Sequence, residues 1–351
     1  MIPDYFIPSA IRDSLPPQSA GGTASGTCAS GFGVCCVVSK TCGGSSSTNN
    51  TYLEQTTTTV AASCSYTICP ISTDICGIRI EFETFVMAGA SSSTFTKGDC
   101  VDDSLVVSSP GAPAAPRVCG TLSGQHMYLP YASSCHTFTA SIGATDTSTS
   151  RSWSMRVAQI ECTNPLLPPS GCLQYMTGTT GYIQSFGWNG NDAGTTVSTA
   201  AHQNNQRYSI CFRREEGYCS MEYSTPAAAF SVGGDSSIAG QSLFGDLACF
   251  EDYLQIPDIY QAPTTSTATA TVTVVGSRIC GRAWTQFPSP STTASTLVSE
   301  YSPVCFAPIL TCFSPAFTKP FKVVVNFDGE DEAADDAQIG FSILYTQKAC
   351  A

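Results

Sequence analysis

Apolar and polar residues alternate along Ile78-Arg-Ile80-Glu-Phe82-Glu-Thr-Phe85, which predicts a β-strand with one buried face. Glu81 and Glu83 then fall on the solvent side. Arg156-Val157-Ala-Gln-Ile160 reads as a second short strand, and Gly340-Phe-Ser-Ile-Leu-Tyr345 as a third near the end of the chain. Residues 266–277 alternate Thr, Ala and Val, and read as an exposed strand or a Thr-rich loop. No stretch carries a convincing helical period. Asn164-Pro165-Leu-Leu-Pro168-Pro169-Ser-Gly171 breaks the pattern, because proline disfavours both helix and ladder pairing.

These strands sit in a repeated cysteine framework. The first copy reads Cys64-Ser-Tyr66-Thr-Ile68-Cys69, Cys76-Gly, Cys100-Val-Asp-Asp103-Ser-Leu105 and Cys119-Gly120. Tyr208-Ser-Ile210-Cys211, Cys219-Ser-Met-Glu-Tyr223, Cys249-Phe-Glu-Asp252-Tyr-Leu254 and Cys280-Gly281 follow in the same order. A repeat at a period above about 100 residues means duplicated domains.

The chain has 351 residues, enough for two or three domains with real cores. Only 12% are charged, and the net charge is −12, which argues against nucleic-acid binding. Nineteen cysteines with three histidines, and no Cys-x2-Cys pairs of pairs, favour disulfides in an oxidising compartment over zinc. No segment approaches the roughly 18 apolar residues a membrane helix needs. Met1-Ile-Pro-Asp is not a signal peptide, so a start upstream of Met1 is expected. Residues 1–27, rich in Pro, Ser and Gly, are expected to be extended or disordered. Residues 28–41 hold Cys28, Cys35 and Cys36 among glycines and predict a small cysteine-rich knot. The odd cysteine total fits missing upstream partners, or one intermolecular bond.

Taken together these motifs resemble the CUB domain, twice over, as in tandem-CUB secreted proteins of the arthropod type. Residues 42–162 match at Cys42-Gly-Gly, Cys64-Ser-Tyr66-Thr-Ile68, Phe82/Phe85, Cys100 to Leu105 and Cys119-Gly120. Residues 172–351 match at Cys172, Gly181-Tyr-Ile183-Gln-Ser185, Cys249 to Leu254, Cys280-Gly281 and Gly340-Phe341 with Tyr345. The resemblance implies an all-β chain of two disulfide-rich antiparallel β-sandwiches (jelly-roll type) in tandem, joined by a linker at 163–171.

The pairings that accompany this resemblance are Cys42–Cys64, Cys100–Cys119, Cys249–Cys280 and Cys305–Cys312. Gln206 stands where the second domain should carry a cysteine, so Cys172 must pair elsewhere, with Cys350 or Cys162 as candidates. Two added pairs, Cys69–Cys76 and Cys211–Cys219, have spacings that suit bonds across hairpins. Cys28, Cys35, Cys36, Cys135, Cys162, Cys172 and Cys350 stay unassigned.

Two fragments resemble pieces of a trypsin-like protease: Thr199-Ala-Ala-His202 and Gly233-Gly-Asp235-Ser236. They lie within one CUB-like domain, where no scaffold could assemble a triad, and are read as coincidence. His126 and His136 are isolated, and a surface or hydrogen-bonded role is expected for each. Many CUB domains bind calcium through hard oxygen ligands. By resemblance Asp103, Asp146 and Ser148 are the candidate ligands in the first domain, with Ala88 where a Glu should stand. Asp252 and the acidic stretch from Asp328 through Asp336 are the counterparts in the second. The missing Glu favours non-binding in both, so no cofactor is expected. Asn49-Asn-Thr51 is a glycosylation acceptor.

The expected function is that of a secreted, non-enzymatic extracellular glycoprotein. It would use tandem CUB-like domains to bind other extracellular proteins, or itself as a homo-oligomer, filament or matrix. The alternatives are the non-catalytic part of a secreted serine-protease system and a carbohydrate-binding adhesin.

Overall fold

The computed structural model describes residues 22–28, 33–58, 62–93, 95–108, 111, 114–131, 134–188, 202–226, 229–233, 242–244, 248–261, 274–281, 284, 296–300, 321–329 and 339–350. All regular structure among them is β. The chain divides into two compact units. Unit one is Met1–Met87, Ser104–Ala115 and Leu122–Leu167; unit two is Ala88–Asp103, Pro116–Thr121 and Pro168–Ala351. The break at Leu167/Pro168 falls inside the Pro-rich linker. Residues 88–103 and 116–121, which the repeat had grouped with 42–162, belong to unit two.

Unit one contains strands β1 (Thr23–Cys28), β2 (Gly33–Lys40), β3 (Ser45–Ser46), β4 (Thr51–Thr58), β5 (Ala62–Ile68), β6 (Ile75–Val86), β7 (Ser104–Ser108), β8 (His126–Pro130), β9 (His136–Ile142) and β10 (Arg151–Glu161). They form a six-stranded sheet, β1-β2-β4-β10-β6-β8, and a four-stranded sheet, β3-β5-β9-β7. Residues 28–41 are therefore no separate knot. They supply β2, which pairs with β1 and joins the larger sheet beside β4. Backbone pairing with a sheet that has a core replaces the need for an isolated staple.

The interior of unit one is built by alternation. Leu53, Phe82, Phe85, Trp153 and Met155 come from the larger sheet, and Tyr66, Ile68, Leu105 and Phe138 from the smaller; all are buried. Phe82 and Phe85 are three residues apart yet both face inward. A bulge explains this: Met155 pairs with Phe82 and Ser154 with Thr84, so Glu83 is the extra residue. Glu81 does not simply face solvent, since it forms ion pairs with Arg79 and Arg156. A polar thread joins the two sheets through the core. Trp153 Nε1 donates to Tyr66 Oη at 3.1 Å, and Tyr66 Oη donates to the Glu54 carbonyl at 2.8 Å. Replacing Tyr66 with Phe removes the acceptor of a buried indole N–H. The expected loss is about 1–3 kcal/mol of unfolding free energy in urea titrations, with the β-type circular dichroism spectrum unchanged.

Unit two contains strands β11 (Gln174–Met176), β12 (Thr180–Gln184), β13 (Gln206–Phe212), β14 (Tyr218–Ser224), β15 (Phe230–Ser231), β16 (Ser242–Phe244), β17 (Tyr253–Gln261), β18 (Val274–Gly281), β19 (Thr296–Glu300), β20 (Lys322–Phe327) and β21 (Gly340–Ala349). Strand β17 changes partner along its length. Its first residues pair with β20 and its last with β19, which joins a β11-β13-β20 layer to a β14-β21-β12 layer. Ile210, Leu254, Val323, Val325, Phe341, Ile343 and Tyr345 fill the core between them. Of residues 266–277, only the start of β18 is described.

Seven disulfides are present among the described residues. Cys42–Cys64, Cys100–Cys119 and Cys249–Cys280 are bonded. The local hairpin pairs are not. Cys69 bonds Cys135 and Cys76 bonds Cys162, in place of Cys69–Cys76. Cys172 bonds Cys211 and Cys219 bonds Cys350, in place of Cys211–Cys219. Neighbouring positions on one strand point to opposite faces, and Cys69 and Cys76 meet different strands. Cys69 comes just after β5 and pairs with Cys135 just before β9, the neighbour of β5; Cys76 lies on β6. Cys305 and Cys312 lie outside the described residues.

Candidate functional site

The most polar part of the interior is a segment of unit two immediately before β13. His202, Gln203, Asn204 and Gln206 are all buried. Irregular loops have backbone groups without ladder partners, and buried backbone groups must be satisfied. Side-chain amides carry donor and acceptor together and suit that task. Gln203 brackets one residue: Nε2 donates to the Cys119 carbonyl at 2.7 Å, and Oε1 accepts from the Cys119 N–H at 3.2 Å. Asn204 Nδ2 donates to the Lys97 carbonyl at 2.8 Å, and its backbone N–H donates to the Gly98 carbonyl at 2.9 Å. Gln206 Nε2 donates to the Arg117 carbonyl at 2.8 Å. Gly98 has φ +82°, and a Cβ there would lie 2.0 Å from Asn204 Oδ1, so only glycine allows this approach.

His202 holds a second group of loops. Its Nε2 lies 3.1 Å from Asp252 Oδ2, and its ring stacks on Phe327 with centroids 4.1 Å apart. Asp252 Oδ1 accepts from the Asp328 N–H at 2.7 Å. The Asp of Cys-x-x-Asp is thus tied to a histidine and a backbone amide. The histidine read as part of a chance protease-like fragment has a structural partner instead. The signal available in the sequence was Asp252 itself, a carboxylate beside a half-cystine in an apolar segment, which needs a buried donor. Thr199, Asp235 and Ser236 lie outside the described residues.

The first-repeat counterpart, Asp103, is also buried and its Oδ2 accepts from the Ala88 N–H at 2.7 Å. Asp103 and Ala88 belong to unit two, whereas Asp146 and Ser148 belong to unit one. Asp146 accepts from the N–H and hydroxyl groups of both Ser148 and Thr149. These bonds, the Thr149 hydroxyl foremost, hold its carboxyl well below the usual carboxylate range. Among the described residues, no three His, Cys, Asp or Glu side chains gather into a group able to hold a metal ion. Of the acidic run after β20, Asp328 is described and 330–338 are not.

The remaining candidates separate. His126 is half-buried with its ring edge-on to Tyr128. His136 departs from expectation: it is fully buried, and among the described residues neither ring nitrogen has a hydrogen-bond partner. Burial lowers its pKa from 6.5 to about 4. Asn49 sits in the turn before β4, half-buried. Its Oδ1 accepts from the Gln159 N–H at 2.7 Å and the Asn50 N–H at 2.8 Å, which leaves the amide nitrogen as its modifiable atom.

The arrangement fixes loops and offers no open acid, base or nucleophile set among the described residues. Two solved structures are similar over much of the chain. The CUB1-EGF-CUB2 domain of human MASP-1/3 is 11% identical over 82% of this chain and 93% of that one, with TM-score 0.24. The full extracellular region of zebrafish Gpr126/Adgrg6 is 12% identical over 88% of this chain, with TM-score 0.27; the match spans 36% of that region. No curated protein matches. A family model described as the animal CUB domain matches residues 169–348, just over half of the sequence, and the chain belongs to that family.

Proposed function

We propose that the chain is a secreted, non-enzymatic extracellular protein of tandem CUB-like domains that binds other extracellular proteins or assembles with itself. CUB domains are modules of extracellular protein–protein interaction, and disulfides such as these are typical of extracellular proteins. The observation that carries the reading is the use made of the buried polar groups. His202, Gln203, Asn204 and Gln206 spend their side chains on positioning loops, which is the work of a scaffold. The two-sheet architecture of unit one, with its own Cys42–Cys64 bond, supports the tandem form. No cofactor is needed for this role, and calcium is not assigned to Asp103, Asp146 or Ser148.

Intact mass under non-reducing conditions, with thiol labelling, on protein from its native source tests this. We expect nearly all cysteines oxidised and a glycan mass that disappears in Asn49→Gln. A majority of free thiols would overturn the extracellular assignment. Light scattering over a concentration series tests self-assembly, and a strict monomer at the highest concentration would remove that variant of the reading.

A further inference from the structure

Strand β12 closes one end of the unit-two sheet and pairs only with β21. Its register fixes which backbone groups that pairing uses. The Ser185 N–H donates to the Phe341 carbonyl, and the Gln347 N–H donates to the Thr179 carbonyl. In an antiparallel ladder such bonded pairs fall on every second residue. Gly181, opposite Tyr345, and Ile183, opposite Ile343, therefore turn their N–H and C=O groups toward β21. Thr180, Tyr182 and Gln184 turn theirs outward, where among the described residues no strand meets them.

This outward row is held in place from its inner side. Ile183 is fully buried, and a Cβ at Gly181 would lie 2.9 Å from the buried Tyr345 ring. Tyr182, by contrast, is 56% exposed. Natural sheets blunt such edges with charge, proline, a bulge or extreme shortness. The opposite edge, β11, is only three residues long. Strand β12, Thr-Gly-Tyr-Ile-Gln, has no charge and no proline, and it pairs without a register break.

A row of backbone donors and acceptors is satisfied by another extended strand, and electrostatics select which one. No charged residue occurs between Glu161 and Asp192. The charges that other strands bring near are balanced. Arg213 pairs with Glu215, whose carboxylate also accepts from the Gly178 N–H, and Lys348 pairs with Glu222. The exposed Arg214 and Glu216 of the same turn offset each other. A charged partner finds nothing here to read, whereas a second copy brings a strand as neutral as this one.

We propose that β12 is a self-assembly edge, on which two copies pair antiparallel about a two-fold axis at Tyr182. Thr180 then faces Gln184 of the second copy, and Tyr182 faces its own counterpart. Each opposed pair exchanges two backbone hydrogen bonds, and the two sheets become one. The proposal rests on the reading that the chain assembles with itself, and names the strand and register that do so.

Sedimentation velocity of the full chain over a concentration series should show a reversible dimer. It should strengthen with salt, because screening relieves the repulsion between two chains at −12. On association the Tyr182 and Gln184 amides should gain hydrogen-exchange protection that Gly181 and Ile183 already have. Tyr182→Lys replaces an aromatic cross-strand pair with like charges directly opposite, and should weaken the dimer about tenfold. Tyr182→Glu should weaken it too, and an equimolar mixture of the two variants should recover it. The side chain is exposed, so each variant should keep the parent's Tm. Association that ignores both substitutions, or a mixture no tighter than either variant alone, would overturn the edge and leave self-assembly standing. A synthetic Thr/Val strand peptide that protected the same amides at lower concentration would make the occupant a foreign strand, and the proposal would fall. A strict monomer at the highest concentration would remove the edge and self-assembly together. None of these outcomes touches the disulfide and glycan measurements that test the extracellular reading.

Discussion

Asp252→Ala should cost about 3–5 kcal/mol of stability, the range for removing one partner from a buried polar pair. The carboxylate is buried and serves two partners at once, His202 Nε2 and the Asp328 N–H. Its loss takes an acceptor from each, and loosens the segment whose next residues hold Cys119, Gly98 and Arg117. Urea titration gives the magnitude, and hydrogen exchange at the Gly98 and Cys119 amides shows where the loosening lies. Asp252→Asn keeps an acceptor and should cost less. Replacing His202 and Asp252 together with Leu should recover part of the loss, because the imidazole leaves with the carboxylate and only the bond from the Asp328 N–H is still lost. Equal stability of Asp252→Ala and the parent chain would mean that the pair does not hold these loops.

Acid should weaken unit one through His136. This imidazole is fully buried, without a hydrogen bond among the described residues, edge-on to Tyr131 at 4.7 Å, and burial lowers its pKa from 6.5 to about 4. The folded value is below the unfolded one, so the unfolded chain takes up the proton first. The neutral ring's contribution is intact above about pH 6.5, declines as pH falls toward 4, and is gone below that. A shift of this size corresponds to about 3 kcal/mol. His136→Phe keeps an aromatic ring and removes the titration. Its stability should stay flat between pH 6.5 and 4 where the parent chain declines. Parallel pH profiles for the two proteins would sink this account.

Period-two alternation located β6 and β10, because a strand with one buried face must alternate. The three-residue step from Phe82 to Phe85 hid a bulge at Glu83, which depends on register against β10 and leaves no local signature. The cysteines divided in the same way. Cys42–Cys64, Cys100–Cys119 and Cys249–Cys280 followed from the family motifs. Cys69, Cys76, Cys211 and Cys219 were paired by closeness in sequence, whereas partners are chosen by which strands lie side by side. At the site, the importance of Asp103 and Asp252 was legible and their partners were not. His202 lies 50 residues from Asp252, and nothing in a linear spacing announces a donor brought in by a loop. His136 was misread for a related reason: a histidine alternating with Thr and Phe in β9 shows only in three dimensions that its face is the inner one.

The disulfide wiring also determines how the protein bears tension. A pull applied at Cys42 and Cys350 need not run along the whole backbone between them. Force passes from Cys42 to Cys64, along the short backbone to Cys69 and Cys76, and across to Cys162. It continues to Cys172, across to Cys211, along the turn to Cys219, and across to Cys350. Only about 30 residues and four sulfur bridges lie on that route, so the span can lengthen to about 120 Å and no further while the bridges hold. Both β-cores hang as side loops off a short covalent cable. Stretching would leave most of the fold unloaded; reduction of Cys76–Cys162 would pass the load to Cys69–Cys135 and lengthen the route by about 20 residues, whereas reduction of Cys219–Cys350 would release most of the slack of unit two.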